Sequence, residues 1–338
     1  MICQTICLSV IKVFIAISFI VMYNTSMKTP SRKNTTVTRI RNGSQLYLMA
    51  IPAVVLFFCF AYLPMFGLVI AFKRYTFDRG IFGSAWADPF YRNFMILINN
   101  PGAFNAMKNT LFLNALFISV GTVFALILAL SFNEIRSRLY KRITQSITFL
   151  PFFISTVVVG VLVAGVLAYE TGSLNGILVS MGATKVNFYM NASYWPAIML
   201  IVNIWKGAGY SSIVYLAAIS GIDGAYYEAA EIDGATRLQQ TWYVTLPLLR
   251  PTIIILTILA VGKIMNADFG LFFNVTRDIG TLYPTVDVLD TYIYRALRKM
   301  GDVGISSATG FFQSVVAFVL VLISNKIANK IEEDSALF

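Results

Sequence analysis

Histidine is absent from all 338 residues, and only three cysteines occur, Cys3, Cys7 and Cys59. Without imidazole there is no His-ligated haem, no His-based zinc site and no Ser–His or Cys–His nucleophile pair. Two of the thiols lie in the first apolar stretch and one in the first long run, which suggests neither a disulfide framework nor a thiolate cluster. Charge is scarce as well: Asp, Glu, Lys and Arg make up 12% of the chain, about half the usual share in soluble domains. A Gly-x4-Gly-Lys-Ser/Thr phosphate loop is missing; Gly262-Lys263 lacks the surrounding glycine and the hydroxyl residue, so the chain has no such route to ATP. No internal repeat or low-complexity tract is visible.

Acids are also outnumbered, 16 against 26 bases, for a net charge of +10. In a soluble protein that excess would suggest nucleic acid. Here 57% of residues are apolar and the mean hydropathy is +0.72. The bases therefore belong in loops facing the cytoplasm or near anionic lipid headgroups, and no nucleic-acid partner is expected.

What the chain does have is long continuous apolar runs, which call for spanning helices rather than alternating barrel strands. Six run Leu46–Phe72, Leu111–Phe132, Ile147–Tyr169, Tyr194–Ile219, Pro251–Phe273 and Ile305–Asn325, each of 21 residues or more. At 1.5 Å per residue the shortest covers about 32 Å, enough for the hydrocarbon layer. The expected fold class is thus all-α: a polytopic membrane protein with six core transmembrane helices filling residues 46–327. Pro251 is expected to open the fifth span in its first turn.

A seventh stretch, about Val13–Met22, is short. Three readings of residues 1–26 compete: a misassigned start with Met27 as the true one, an extra anchor helix, or a cleaved signal, which lacks a charged n-region and is interrupted by Lys12.

Lys28, Arg32, Lys33, Arg39 and Arg41 in residues 27–45, and Arg136, Arg138, Lys141 and Arg142 in the 134–144 loop, place both segments in the cytoplasm, together with the 220–250 loop and the 328–338 tail. The loops at about 73–110, 170–193 and 274–304 then face outward. They carry ten bases, and a short helix is expected at Ser173–Met181.

Residues 220–250 are polar and ordered-looking between two apolar runs. Asp223 suits a helix N-cap. Gly234 follows Asp233 where a chain leaving a helix often needs positive φ, and Thr236 with Gln239 reads as a capping box. Leu246-Pro247 is expected to close the second short helix and turn the chain back toward the membrane. Ala229 and Ala230 keep one face thin for close packing, and Glu228, Glu231 and Arg237 offer charge to a polar partner. An amphipathic pair resting on the inner leaflet should instead be rich in Lys and Arg. This one is acidic, which favours a protein partner.

The order Glu228-Ala229-Ala230, three residues, Gly234, nine residues, Val244, one residue, Leu246-Pro247 resembles the EAA loop of ABC importer permeases, with Val244 where the pattern has Ile. From about Ser44 onward the chain is similar to maltose-type sugar permeases, in the branch serving complex oligosaccharides of bacteria. Asn133-Glu-Ile-Arg-Ser-Arg, Phe149-Leu-Pro-Phe-Phe-Ile-Ser, Asn203-Ile-Trp-Lys-Gly and Asp290-Thr-Tyr-Ile-Tyr carry the likeness further. Residues 1–26 depart from it.

The resemblance implies a type I ABC importer permease in a bacterial plasma membrane, paired with a second, related permease. It also implies two cytoplasmic ATPase subunits, which hold ATP-Mg while this chain binds no cofactor and catalyses nothing, and an extracytoplasmic binding protein that delivers an oligosaccharide. Glu228 would enter a cleft on the ATPase, Gly234 would keep the bend, and Leu246-Pro247 would seat the second helix.

Asn203, Trp205, Lys206 and Asp268 are candidates to line the sugar path, since charged groups inside spans usually face a bundle interior or aqueous cavity; helix–helix hydrogen bonding or snorkelling is the other reading, and it applies more strongly to Lys263 and Asn266. Asp287 and Asp290 read as a helix cap or surface turn. A stand-alone secondary sugar transporter is the alternative function; it would need intramembrane acids or broken helices near mid-depth and would have no use for a docking loop. Acidic and neutral sugars both remain open.

Overall fold

A computed structural model describes residues 44–331, with side chains from 51 to 330. The readings of residues 1–26, of most of 27–45 and of most of the tail lie outside the described residues. Among the described residues the chain is helical and has no strand; Lys73 and Trp86 form an isolated bridge.

Helix α1 (Ser44–Phe57) runs on through a π turn, Phe58–Tyr62, and a 3-10 stretch, Leu63–Phe72. Then come α2 (Gly80–Gly83), α3 (Arg92–Asn99), α4 (Pro101–Glu134), α5 (Arg138–Phe153), α6 (Thr156–Leu167), α7 (Ser173–Ser180) and α8 (Trp195–Ser220). The chain continues with α9 (Gly224–Ile232), α10 (Arg237–Gln240), α11 (Leu246–Val261), α12 (Phe269–Thr276), α13 (Tyr283–Val286), α14 (Leu289–Arg298) and α15 (Val303–Ile331). Among the described residues five stretches are long and apolar enough to cross a membrane: Ile51–Phe72, Pro101–Glu134, Ala192–Ser220, Arg237–Val261 and Val303–Lys330. The pair α5 and α6 passes the same test together, with a bend of 99° between them, and brings the number to six if it is one span. Apolar side chains such as Phe60, Ile127 and Phe318 stand exposed along these helices, as they can in lipid, where tails are as apolar as leucine.

Several boundaries differ from the hydrophobic runs, each for a local reason. Helix α4 starts ten residues before Leu111, because Asn100 caps it by accepting from Gly102 and Ala103 N–H at 2.8 and 3.3 Å, and Pro101 fits the first turn. The third run is not one helix. It breaks at Ile154-Ser155, two residues into a sequence where Pro151 has already weakened the last turn of α5, and Ser155 caps α6.

The fifth span does not open at Pro251. The helix begins at Arg237 and passes through both prolines. A π turn, Thr241–Thr245, with Leu246 N–H reaching back to Thr241 O, widens the ladder where Pro247 has no donor to give. Leu246-Pro247 therefore opens α11 and does not close a helix. At its other end α11 stops at Val261, well before Phe273.

Two compact units divide the chain. In the unit of residues up to 97 together with 296–314, Asn93 is buried and donates to Ala71 O at 2.8 Å and Lys73 O at 3.0 Å, and Phe72, Phe94 and Phe311 meet tilted or edge to face with centroids 5.2–5.8 Å apart. The larger unit, 98–295 with 315–338, has two apolar cores. One joins Leu113 and Phe117 of α4, Val159 of α6, Trp195 and Met199 of α8 and Leu271, Phe272 and Val275 of α12. Trp195 is fully buried, and its indole N–H finds Phe188 O at 2.7 Å, which satisfies its one polar atom. The other joins Ala125, Ala129 and Phe132 of α4 to Tyr215, Leu216 and Ile219 of α8 and Leu249 of α11. At Gly209 the backbones of α8 and α5 nearly touch: a Cβ there would lie 2.1 Å from Thr148 O. Gly207, two residues earlier, has open space instead.

Candidate functional site: a charged bend and a polar bundle interior

The bend is built as the local sequence demands. Asp223 Oδ1 accepts from Ala225 N–H at 3.0 Å and starts α9. At its end Ala235 N–H reaches Ala230 O at 2.9 Å and Gly234 N–H reaches Glu231 O at 3.0 Å. These two bonds make a Schellman motif, and it needs the left-handed backbone that Gly234 supplies at φ +78°. Thr236 and Gln239 form the full capping box, with Thr236 N–H donating to Gln239 Oε1 at 2.7 Å. Tyr227 and Thr245 share a hydrogen bond of 3.0 Å that ties α9 to the π turn.

The charges are arranged more specifically than their spacing foretold. Arg237 pairs with Glu231 across the bend at 3.1 Å, so these two neutralise each other and contribute about 0–1 kcal/mol, being exposed. Glu228 is exposed and has no hydrogen bond or ion pair among the described residues; its carboxylate is available. Ala229 and Asp233 are exposed beside it and Ala230 is half-buried. Ile232, Leu238, Trp242 and Tyr243 stand in the open on the same segment, Ile232 with 86% of its surface accessible. Sequence reasoning missed this apolar component, although Ile232, Leu238 and Tyr243 fall outside any core-facing period and were visible as such.

The polar residues of the spans are placed differently from a common lining. Lys206 donates to Phe152 O at 3.1 Å and Ile154 O at 2.8 Å. It thereby satisfies carbonyls that the break between α5 and α6 leaves without helical partners. Asp268 lies outside any helix and caps α12, accepting from Leu271 N–H at 3.0 Å. The gap between α11 and α12 is closed in the same manner: Asn114 of α4 donates to Ile264 O at 2.7 Å, and Asp290 accepts from Ala267 N–H at 2.7 Å. Lys263 and Asn266 belong to this gap and not to a span. Asn203 is half-buried with no hydrogen bond among the described residues, and Trp205 is exposed. Lys206 and Asp268 are not an ion pair, so the four candidates do not form one cluster.

Asp287 is buried and not on a surface turn. Arg295 donates to it and to Asp278 at 3.2 Å, lies 4.0 Å over the Tyr283 ring, and Thr291 donates to Asp287 Oδ1 at 2.7 Å. Burial pushes the Asp287 carboxyl up from its ordinary value, against the opposing pull of the Arg295 guanidinium. Burial and the bond to Asp278 push the Tyr283 hydroxyl up to about 12. The spacing Asp287, Thr291, Arg295, one helical turn each, was the signal for this network.

Six apolar spans, two of them interrupted, and a stiffly capped bend carrying an unpaired carboxylate define an integral membrane transport component of the type I permease fold. The family described as the binding-protein-dependent transport system inner membrane component matches residues 121–333, and the chain belongs to that family. It is a permease subunit of an ABC importer. The polygalacturonan/rhamnogalacturonan transport system permease protein YteP of Bacillus subtilis is 38% identical over 293 residues, 86% of this chain and 89% of that one. LplB of the same species is 34% identical over 296 residues, 87% of this chain and 92% of that one. The crystal structure of a bacterial ABC transporter involved in the import of the acidic polysaccharide alginate has a chain similar at TM-score 0.78 and 38% identity, covering 87% of this chain and 98% of that one. Helix breaks are a mark of stand-alone carriers; here the carbonyls they leave bare are taken by Lys206 and Asn114, and membership of the family decides against the stand-alone reading.

Proposed function

We propose that this chain is one half of the membrane pathway of an ATP-driven importer of oligosaccharides, paired with a related permease and served by two cytoplasmic ATPase subunits and an extracytoplasmic binding protein. The relatives named above for polygalacturonan/rhamnogalacturonan transport and for alginate import support a saccharide cargo. The crystal structure of a bacterial alginate ABC transporter in complex with alginate pentasaccharide-bound periplasmic protein supports the binding protein; its chain is 37% identical with a TM-score of 0.79.

The observation that carries the reading is the Gly234 bend, with Glu228 free and Ile232, Leu238 and Tyr243 bare. A carboxylate without a partner beside bare apolar groups favours burial against another protein. Glu228, Ala229, Ala230, Asp233 and Gly234 form the gripped surface in this reading, with Leu246 and Pro247 transmitting its motion upward. ATP with Mg is bound and hydrolysed on the neighbouring subunits, and this chain supplies no catalytic group. The N-terminus, the bend and the tail lie in the cytoplasm, residues 46–327 form the permease domain and residues 1–26 lie outside it. Of the proposed path residues, Asn203 and Trp205 keep that role; Lys206 and Asp268 act there through the helix ends they cap.

The test is co-purification from native membranes followed by uptake in proteoliposomes. A complex holding an ATPase and a second permease, with uptake requiring ATP, is expected. Uptake by this chain alone under an ion gradient would overturn the reading.

A further inference from the structure

Two consecutive residues with side chains, Arg277 at φ +57° and Asp278 at φ +51°, sit in the left-handed region just after α12. Each such residue costs on the order of 1 kcal/mol or more and persists only where its surroundings impose it. The imposing contacts are on the Asp278 side: its carboxylate holds Arg295 at 3.2 Å and accepts from Tyr283 OH at 2.9 Å. The turn sends its neighbour elsewhere. Arg277 lines a separate cavity of 540 Å³, also bordered by Tyr169 and Thr171 at the end of α6 and by Asn187 and Tyr189. That volume is within the range of about 300–1,000 Å³ common for small-molecule sites.

The chemistry of this cavity is one-sided. Its lining contains one cation and no carboxylate. Glu170, the nearest acid in sequence, is paired with Lys185 at 2.6 Å, and Arg277 forms no ion pair among the described residues. Two tyrosine rings, an amide, a hydroxyl and five small or apolar residues complete the wall. Aromatic faces suit the apolar side of a pyranose, amide and hydroxyl groups suit its hydroxyls, and a guanidinium fork suits a carboxylate in a bidentate manner.

We propose that the cavity beside Arg277 binds an acidic saccharide, with the guanidinium taking the carboxylate of a hexuronate unit and Tyr169 and Tyr189 flanking its ring. This rests on the oligosaccharide importer reading and names its cargo class. The cavity lies between the C-terminal part of α6 and the 170–193 and 274–304 loops, which that reading places outside, so it meets the sugar at entry. The strained turn is what keeps Arg277 at the wall, held by a network that never touches the ligand.

The test uses the complete importer in proteoliposomes with its binding protein in excess, supplied with trigalacturonate or with its fully methyl-esterified, uncharged form. The same binding protein serves all variants, so its own preference cancels. In Arg277→Gln the half-saturating concentration for the acid rises about tenfold relative to that for the ester, and Arg277→Lys, which keeps the charge but loses the fork, falls between. Equal losses for both sugars, or no loss for the acid, overturn the assignment. If the unaltered importer carries the ester and not the acid, the importer reading stands and this one fails; if it carries neither with ATP, both fail.

Discussion

Replacing Gly234 with alanine isolates the backbone contribution of the bend. A Cβ at this position would meet nothing within 4 Å, so no clash enters, and the whole effect comes from φ +78°. Placing an L side chain there costs about 1–2 kcal/mol, offset by a few tenths to 1 kcal/mol from the smaller entropy of the unfolded chain. The net is about 1 kcal/mol, or roughly a fivefold smaller population of the bent form. Asparagine tolerates the left-handed region better, so Gly234→Asn is expected to lose less than half as much. The segment lies outside the apolar cores, so membrane insertion and complex yield stay as they are. Sugar carried per ATP hydrolysed, measured in proteoliposomes, should fall several-fold in Gly234→Ala and less in Gly234→Asn. An unchanged ratio in Gly234→Ala, or equal damage from both replacements, would refute the claim that positive φ is what the bend needs.

Other perturbations act inside the helices. Gly209→Ala pushes a methyl to 2.1 Å from Thr148 O, so α8 and α5 must part; overpacking of this kind costs about 1–3 kcal/mol, read as a lower melting temperature of the purified complex, while Gly207→Ala, in open space, should leave it unchanged. Lys206→Met removes the donor to Phe152 and Ile154 carbonyls and should cost about 1–3 kcal/mol while raising hydrogen exchange at the α5–α6 break; exchange like that of the unaltered chain would count against the capping role. Arg295→Met takes the guanidinium away from buried Asp287, a loss of about 3–5 kcal/mol. In that variant the buried Asp287 carboxyl binds a proton more readily folded than unfolded, so stability rises as pH falls, and melting should be higher at pH 5 than at pH 8; the opposite slope would refute the buried-carboxylate account.

Local signals in the sequence served well where the structure is itself local. Asp223, Gly234, Thr236 and Gln239 each act on groups within five residues of themselves, and each does what its type and spacing foretell. The six-span count follows from run length alone. What escaped were features closed by distant partners. The break at Ile154 is satisfied by Lys206, 52 residues on, and Ile264 by Asn114, 150 residues back; an apolar run carries no mark of a carbonyl that another helix will cap. The same holds for Asp287, whose burial depends on Arg295 folding over Tyr283. Prolines misled for a related reason: Pro247 and Pro251 look like stops, yet a five-residue loop of hydrogen bonding at Thr241 lets the helix run past them.

That uninterrupted helix from Arg237 to Val261 has a mechanical meaning. Its 25 residues make a rod of about 37 Å, starting just after the Gly234 bend and stopping where Asn114 and Asp290 clamp the chain. A tilt of roughly five degrees at the root would sweep the far tip through about 3 Å. Stroke delivered at one surface is thus magnified into displacement at the opposite one, with the clamp as the point where leverage becomes an opening.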